Sequence, residues 1–199
     1  MARTLLDAVA GQETFDVVSA FAMPLSIGEK DRLRLMRADA QVAELAADAG
    51  QRAEWAPDGS RFAAIAGEQV VSIDARTGAI AKAACTCYDV AVAARKVYAA
   101  AEYGATELKV FDLATLKAHG PLTLHKGASS IAGAGDRLVT FQITETGARD
   151  ESELIIIEPA TGAKTNAGKV GQVADTAFTP RGWWAGRCSP TPPPAHPAR

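Results

Sequence analysis

Apolar residues in this chain come in short alternating runs separated by turn-forming residues, with no stretch at helical spacing long enough to displace that reading. The clearest stretch starts with Arg52-Ala53-Glu54-Trp55, passes through Ala56-Pro57-Asp58-Gly59-Ser60 and resumes over 61–66. Pro57 presets φ near −65° at the start of that turn, and Asp58-Gly59 supply the side-chain cap and the positive φ that follow. A turn over 67–69, a strand over 70–74, a turn at Thr77-Gly78 and a short strand over 79–83 complete a four-stranded antiparallel meander. The same template fits 89–93, 96–101, 108–112 and 122–124. It fits again at 130–132, 137–143, 154–158 and 164–170, where a polar, acid-rich insertion over 144–152 sits in the turn between the second and third strands.

Each meander carries an apolar run that ends in an acidic residue, followed by a Thr-containing turn: Asp74 with Thr77-Gly78, Asp112 with Thr115, Glu158 with Thr161-Gly162, and a fainter copy ending at Asp39. These anchors lie 35, 38 and 46 residues apart, the spacing of one supersecondary unit repeated along a chain. Read as a ring of carboxylates they suggest chemistry. Read by position, at a strand end before a turn, they suggest side chains that cap turn N–H groups, and the second account needs nothing else from the sequence.

The repeat set is uneven at both ends. Residues 173–182 restate the register of 55–59, with Phe178 for Trp55 and Gly182 for Gly59, and the pattern stops after Trp183-Trp184-Ala185-Gly186. At the other end, 14–23 and 31–36 supply two strands and 41–45 the fourth of a further unit. The expected organisation is an N-terminal segment 1–13, units over 14–48, 50–84, 87–126, 128–170 and a partial one over 172–186, then a proline-rich tail 187–199 that is disordered or polyproline II. The N-terminal segment pairing with the unfinished last unit closes a ring. An open arc instead leaves strand edges unpaired and self-associates.

The phrase Trp55-Ala56-Pro57-Asp58-Gly59-Ser60-Arg61-Phe62-Ala63, followed by Val70-Val71-Ser72-Ile73-Asp74-Ala75-Arg76-Thr77-Gly78, resembles the bacterial WD-like and YVTN-type β-propeller repeats. The resemblance covers roughly 30 to 184. Leu116 stands where the turn glycine belongs, no Gly-His pair opens a unit and no Trp-Asp pair ends one, so these are generic blades. It implies an all-β propeller of four-stranded antiparallel blades, four to five in number or a partial arc, used as a binding platform.

Composition narrows the function classes further. With 199 residues, net charge −2 and pI near 5.9, the chain lacks the basic stripe of a phosphate-gripping domain, so nucleic acid is not expected. No apolar run is long enough to span a bilayer, and Asp7 interrupts the N-terminal run before a signal-peptide core forms. Three cysteines, two of them one residue apart, fit a reducing cytoplasm. Cys85-Thr86-Cys87 with His119 and His125 has the residue types of a metal site but the wrong spacing, and in an extended strand the two thiols share a face for packing reasons alone. There is no nucleophile elbow, phosphate loop or zinc helix motif, so no catalytic residue, cofactor or metal ligand is named. Trp183 and Trp184 are the candidates for a binding anchor. The expected function is a non-catalytic scaffold whose partner is another protein. The alternatives are a propeller-type enzyme or a substrate-gating domain, with Asp89 or Asp175 lining the channel, and a truncated propeller without independent function.

Overall fold

The computed structural model describes residues 25–29, 32–37, 40–46, 53–144, 151–170, 175–179 and 182–186, and among them every regular element is a strand. β1 (Leu25–Glu29), β2 (Arg32–Arg37) and β3 (Ala40–Ala46) make a three-stranded sheet. β4 (Ala53–Trp55), β5 (Arg61–Ala66), β6 (Gln69–Asp74) and β7 (Ile80–Ala84) make the four-stranded meander expected from the Pro-Asp-Gly turn. A seven-stranded sheet follows, from β8 (Asp89–Ala93), β9 (Lys96–Ala100) and β10 (Ala105–Asp112) through β11 (Leu122–Ala134) to β12 (Arg137–Thr144), β13 (Glu151–Glu158) and β14 (Ala163–Val170). β15 (Asp175–Thr179) and β16 (Gly182–Gly186) form a two-stranded hairpin.

Two features of this layout depart from the sequence reading. The separate strands expected at 122–124 and 130–132 are one strand, β11, because Ala128 pairs with Ala105 on one side and with Gln142 on the other. The chain thus serves as the outer strand of one meander and the inner strand of the next, with register shifts where it changes partner. Strand β1, which pairs Leu25 with Met36 through Glu29 with Arg32, was not anticipated. The strand expected over 14–23, the anchor Asp39, the segment 1–13 and the tail 187–199 lie outside the described residues.

Burial explains why so many strands read as nearly continuous apolar runs. Every residue of β8 is buried, as are Phe62, Ala63 and Ala64 of β5, since these strands are covered on both faces. One face of the β4–β7 sheet meets Leu35, Ala43 and Leu45 of the first sheet through Phe62, Ala64, Val71 and Ile73. Its other face meets β8, β9 and β10 through Ala63, Val70, Val92, Val97 and Phe111. Full burial of each large aliphatic or aromatic side chain contributes about 2 kcal/mol. Alanine recurs at positions 63, 64, 91, 93, 99 and 100, so the sheets approach closely.

Asp74 and Asp112, two of the acidic anchors, do what the turn reading requires. Asp74 Oδ1 accepts the N–H groups of Arg76 at 3.0 Å and Thr77 at 2.9 Å. Asp112 Oδ1 accepts those of Ala114 at 3.0 Å and Thr115 at 2.8 Å, together with the Thr115 hydroxyl at 2.8 Å. The threonines repay the pattern by accepting the N–H two residues on, from Ala79, Lys117 and Ala163. Glu158 is a correction: its side chain, one methylene longer, pairs with Arg137 at 3.4 Å, and its backbone carbonyl takes the Gly162 N–H. That pair repeats Arg61 with Asp74, where a basic residue opening the second strand faces the anchor closing the third.

Leu116 shows how strong this turn geometry is. Gly78 and Gly162 close their turns at φ of 73° and 74°, and Leu116 takes φ 53° in the same place, a left-handed conformation that costs a residue with a Cβ roughly 1 kcal/mol. Its side chain is 4% exposed, packed with Val97, Phe111 and Leu113, and that burial offsets the strain.

Backbone N–H groups, chiefly that of Thr77, hold the Asp74 carboxyl below the usual carboxylate range; for Asp112 the Thr115 hydroxyl leads. A depressed folded-state value means stability that is present above the unfolded value and lost as pH falls through the folded one. Asp74→Ala is expected to lower stability by about 1 kcal/mol near neutral pH, the small end of the range because the carboxylate is still partly in water. The deficit shrinks towards zero in acid. Urea melts of both proteins at neutral and strongly acidic pH check this, and a deficit that does not change with pH removes the capping account.

Candidate functional site

The inner strands β4, β8 and the second half of β11 lie side by side, and their polar groups converge there. Ala94-Arg95 and Gly135-Asp136 are two-residue hairpins, so ladder bonds fall on alternate residues of β8 and β11. The N–H groups of Val90 and Val92, and of Ile131 and Gly133, therefore point away from the hairpin partner. Such donors need acceptors when they are enclosed.

Two carboxylates supply them. Glu54 of β4 accepts the Val92 N–H at 2.6 Å on Oε2 and the Gly133 N–H at 2.8 Å on Oε1. Asp89, 4% exposed, accepts the Val90 N–H at 2.9 Å on Oδ1, and on Oδ2 the Ile131 N–H and the Ser130 hydroxyl, both at 3.0 Å. Val92 and Gly133 stand one residue before the end of their strands, and Val90 and Ile131 stand two residues before those. Each carboxylate thus spans the same rung of two successive inner strands. Glu54 acts from a third strand, so one side chain fixes the relative height of three.

Burial raises the Glu54 carboxyl from its ordinary value to about 7, against the pull of the Val92 and Gly133 N–H groups and with a smaller push from Asp89. A carboxyl near neutrality in an enclosed place is where acid-base chemistry is looked for. Both its oxygens are already taken by backbone donors, as are both of Asp89.

The residues named from sequence fall as follows. Asp89 opens β8 and accepts from Val90, Ser130 and Ile131, and beside it stands Glu54, which the sequence alone does not single out. Asp175 opens β15. Trp183 and Trp184 lie in β16, in register with Phe178 and Ala177, so Trp183 holds the position that Phe62 holds opposite Trp55 in β4–β5. Cys85 and Cys87 are corrected: they lie in the connection between β7 and β8 rather than in a strand, and their sulfurs are joined as a disulfide. The Cys85 N–H donates to the Glu68 carbonyl at 2.9 Å, one residue beyond the last rung, Gln69 with Ala84, of the β6–β7 ladder. His119 and His125 are exposed, and no group of three or more His, Cys, Asp or Glu side chains among the described residues is placed to hold a metal ion.

No known family and no curated protein matches the chain. Solved structures do resemble it. Hydrazine synthase of Kuenenia stuttgartiensis superposes with a TM-score of 0.56 at 14% identity, over 80% of this chain and 50% of that one. The dihydro-heme d1 dehydrogenase NirN, in complex with DHE, gives 0.56 at 14% identity over 82% of this chain and 39% of its own. Sqt1 of Saccharomyces cerevisiae gives 0.50 at 12% identity over 79% and 52%. This chain spans about half of these proteins or less. All three are β-propellers, and the fold of this chain is of the propeller type; at such identities the likeness extends no further than the fold.

Proposed function

We propose that this chain is a non-catalytic β-propeller scaffold, built of generic WD-like blades, four to five in a ring or a partial arc, that binds another protein through the turns at one end of its sheets. The observation that carries this reading is the use made of the inner carboxylates. Glu54 and Asp89 are the acidic side chains that a propeller enzyme would aim at a ligand, and here Glu54 spends its oxygens on backbone N–H groups of two neighbouring strands and Asp89 on those of its own strand and of β11. What such a fold offers a partner is a set of turns held at fixed positions by capped, well-packed sheets. The hydrazine synthase and dehydrogenase likenesses keep a catalytic alternative in view, and the same carboxylates test it.

Affinity capture with the tagged full chain, followed by reconstitution from purified components, is expected to yield a partner whose binding is abolished by substitutions at turn tips and unchanged in Glu54→Gln. Turnover of any small molecule that is lost in a folded Glu54→Gln protein overturns the scaffold reading in favour of the enzyme.

A further inference from the structure

We infer that Cys85 and Cys87 form a reversible thiol–disulfide exchange site whose substrates are low-molecular-weight thiols and their disulfides. The Cα atoms of the pair are 5.3 Å apart, inside the range of about 4.4–6.8 Å that disulfides occupy. The bond joins residues at a sequence separation of 2, and so short a loop removes little entropy from the unfolded chain. As a staple it contributes little. The backbone on either side is fixed without it, by the Cys85 N–H on the Glu68 carbonyl and by the Tyr88 N–H on the Ala100 carbonyl at 2.7 Å. The two sulfurs therefore stay neighbours whether bonded or not, and thiols held that way re-form their bond in preference to capturing a second external molecule.

Access separates the roles of the two sulfurs. Cys85 is 2% exposed, within the apolar cluster that includes Val70, Val90, Phe111 and Leu116, whereas Cys87 is half-buried against the same cluster and follows an exposed Thr86. An incoming thiolate attacks Cys87 Sγ; the bond to Cys85 Sγ breaks, and Cys85 leaves with the electron pair and takes up a proton. A second thiolate attacks the external sulfur of the mixed disulfide, which forms the external disulfide and releases Cys87 as a thiolate to be protonated in turn. Two external thiols are thereby oxidised to one disulfide while the pair is reduced to two thiols, and no other oxidant or reductant takes part. Oxidation runs the same steps in reverse: Cys87 is the nucleophile towards an external disulfide, and Cys85 resolves the adduct.

Cleavage after Lys82 and Arg95 releases peptide 83–95, which carries both cysteines and leaves Cys188 elsewhere, so mass spectrometry reads this pair alone. The full chain is equilibrated in buffers of reduced and oxidised glutathione over a wide span of ratios, alkylated, digested and weighed. The peptide is expected to pass from disulfide to doubly alkylated within that span and to return when the ratio is reversed, with the circular dichroism of a β protein throughout. In Cys85→Ser, which lacks the resolving thiol, a glutathione adduct is expected to accumulate on Cys87. Cys87→Ser is expected to form its adduct at least about tenfold more slowly, because Cys85 is enclosed. A peptide that stays disulfide-bonded in excess dithiothreitol while the chain remains folded overturns the inference, as does one that stays doubly alkylated after excess oxidised glutathione. Equal adduct rates in two folded variants overturn the roles given to the sulfurs. The titration uses the parent chain, so it decides the matter even where a variant fails to fold, and neither result bears on the scaffold reading.

Discussion

Gly133→Ala is expected to destabilise the protein by about 3 kcal/mol or more, the combined scale of overpacking and of hydrogen bonds lost to a charged acceptor. A Cβ at this position would run into the Val92 carbonyl of β8, and it would also lie 3.2 Å from Glu54 Oε1. The obstacle is backbone in a strand paired with β9, so it cannot turn aside as a side-chain tip does. The strands must separate, and separation pulls the Gly133 N–H off Glu54 and the Ile131 N–H off Asp89 together. For a chain of this length the midpoint of thermal unfolding should fall by roughly 10 °C. Gly120→Ala is the control, since nothing lies within 4 Å of a Cβ there, and it should melt with the parent. A Gly133→Ala protein that also melts with the parent would mean the inner strands are not held at the distance described.

What the sequence made legible, and what it hid, follows the range of the interactions. Asp74 and Asp112 cap N–H groups two and three residues ahead, so acid, spacing and threonine all lie within one short window. Pro57-Asp58-Gly59 is legible for the same reason: Asp58 accepts the Ser60 N–H at 2.9 Å. Glu158 misled because the window is alike while the side chain is longer, and an arginine across the ladder claims it. Glu54 is in the plainest stretch of the repeat, two residues ahead of a recognisable turn, and its partners are 38 and 79 residues away. Nothing local marks it. The signals that do exist are a glutamate in an inner strand with no cation opposite, and a glycine, Gly133, at the rung where the preceding inner strand carries Val92. Leu116 teaches the converse: a missing glycine reads as a broken turn, yet the turn holds because the leucine reaches a core that only the folded chain provides.

Glu54→Gln should change the pH dependence of stability more than stability itself. In the unfolded chain the carboxyl titrates near its ordinary 4.5, and in the folded one near 7, because burial disfavours the charged form more than two N–H donors favour it. Between those values the folded state holds a proton that the unfolded state has released. Stability contributed by the neutral carboxyl is therefore complete at and below about pH 4.5, declines as pH rises to about 7, and is level beyond, with a total loss of about 3 kcal/mol. Glutamine removes that slope. Its amide leaves one of the Val92 and Gly133 N–H groups facing an NH2, whose nitrogen has no lone pair to offer, whereas the hydroxyl oxygen of the neutral acid can still accept with its proton turned away; the cost is about 1–2 kcal/mol. The variant should thus be the weaker protein near pH 5 and should match or exceed the parent near pH 8. The crossing is visible in parallel denaturant melts, and parallel curves without a crossing would place the Glu54 carboxyl at an ordinary value. If the crossing is found, the carboxylate is costly where it lies at neutral pH. What the fold gains from keeping it is register: one side chain that accepts from the same rung of two inner strands, while standing on a third, permits a single relative height for all three.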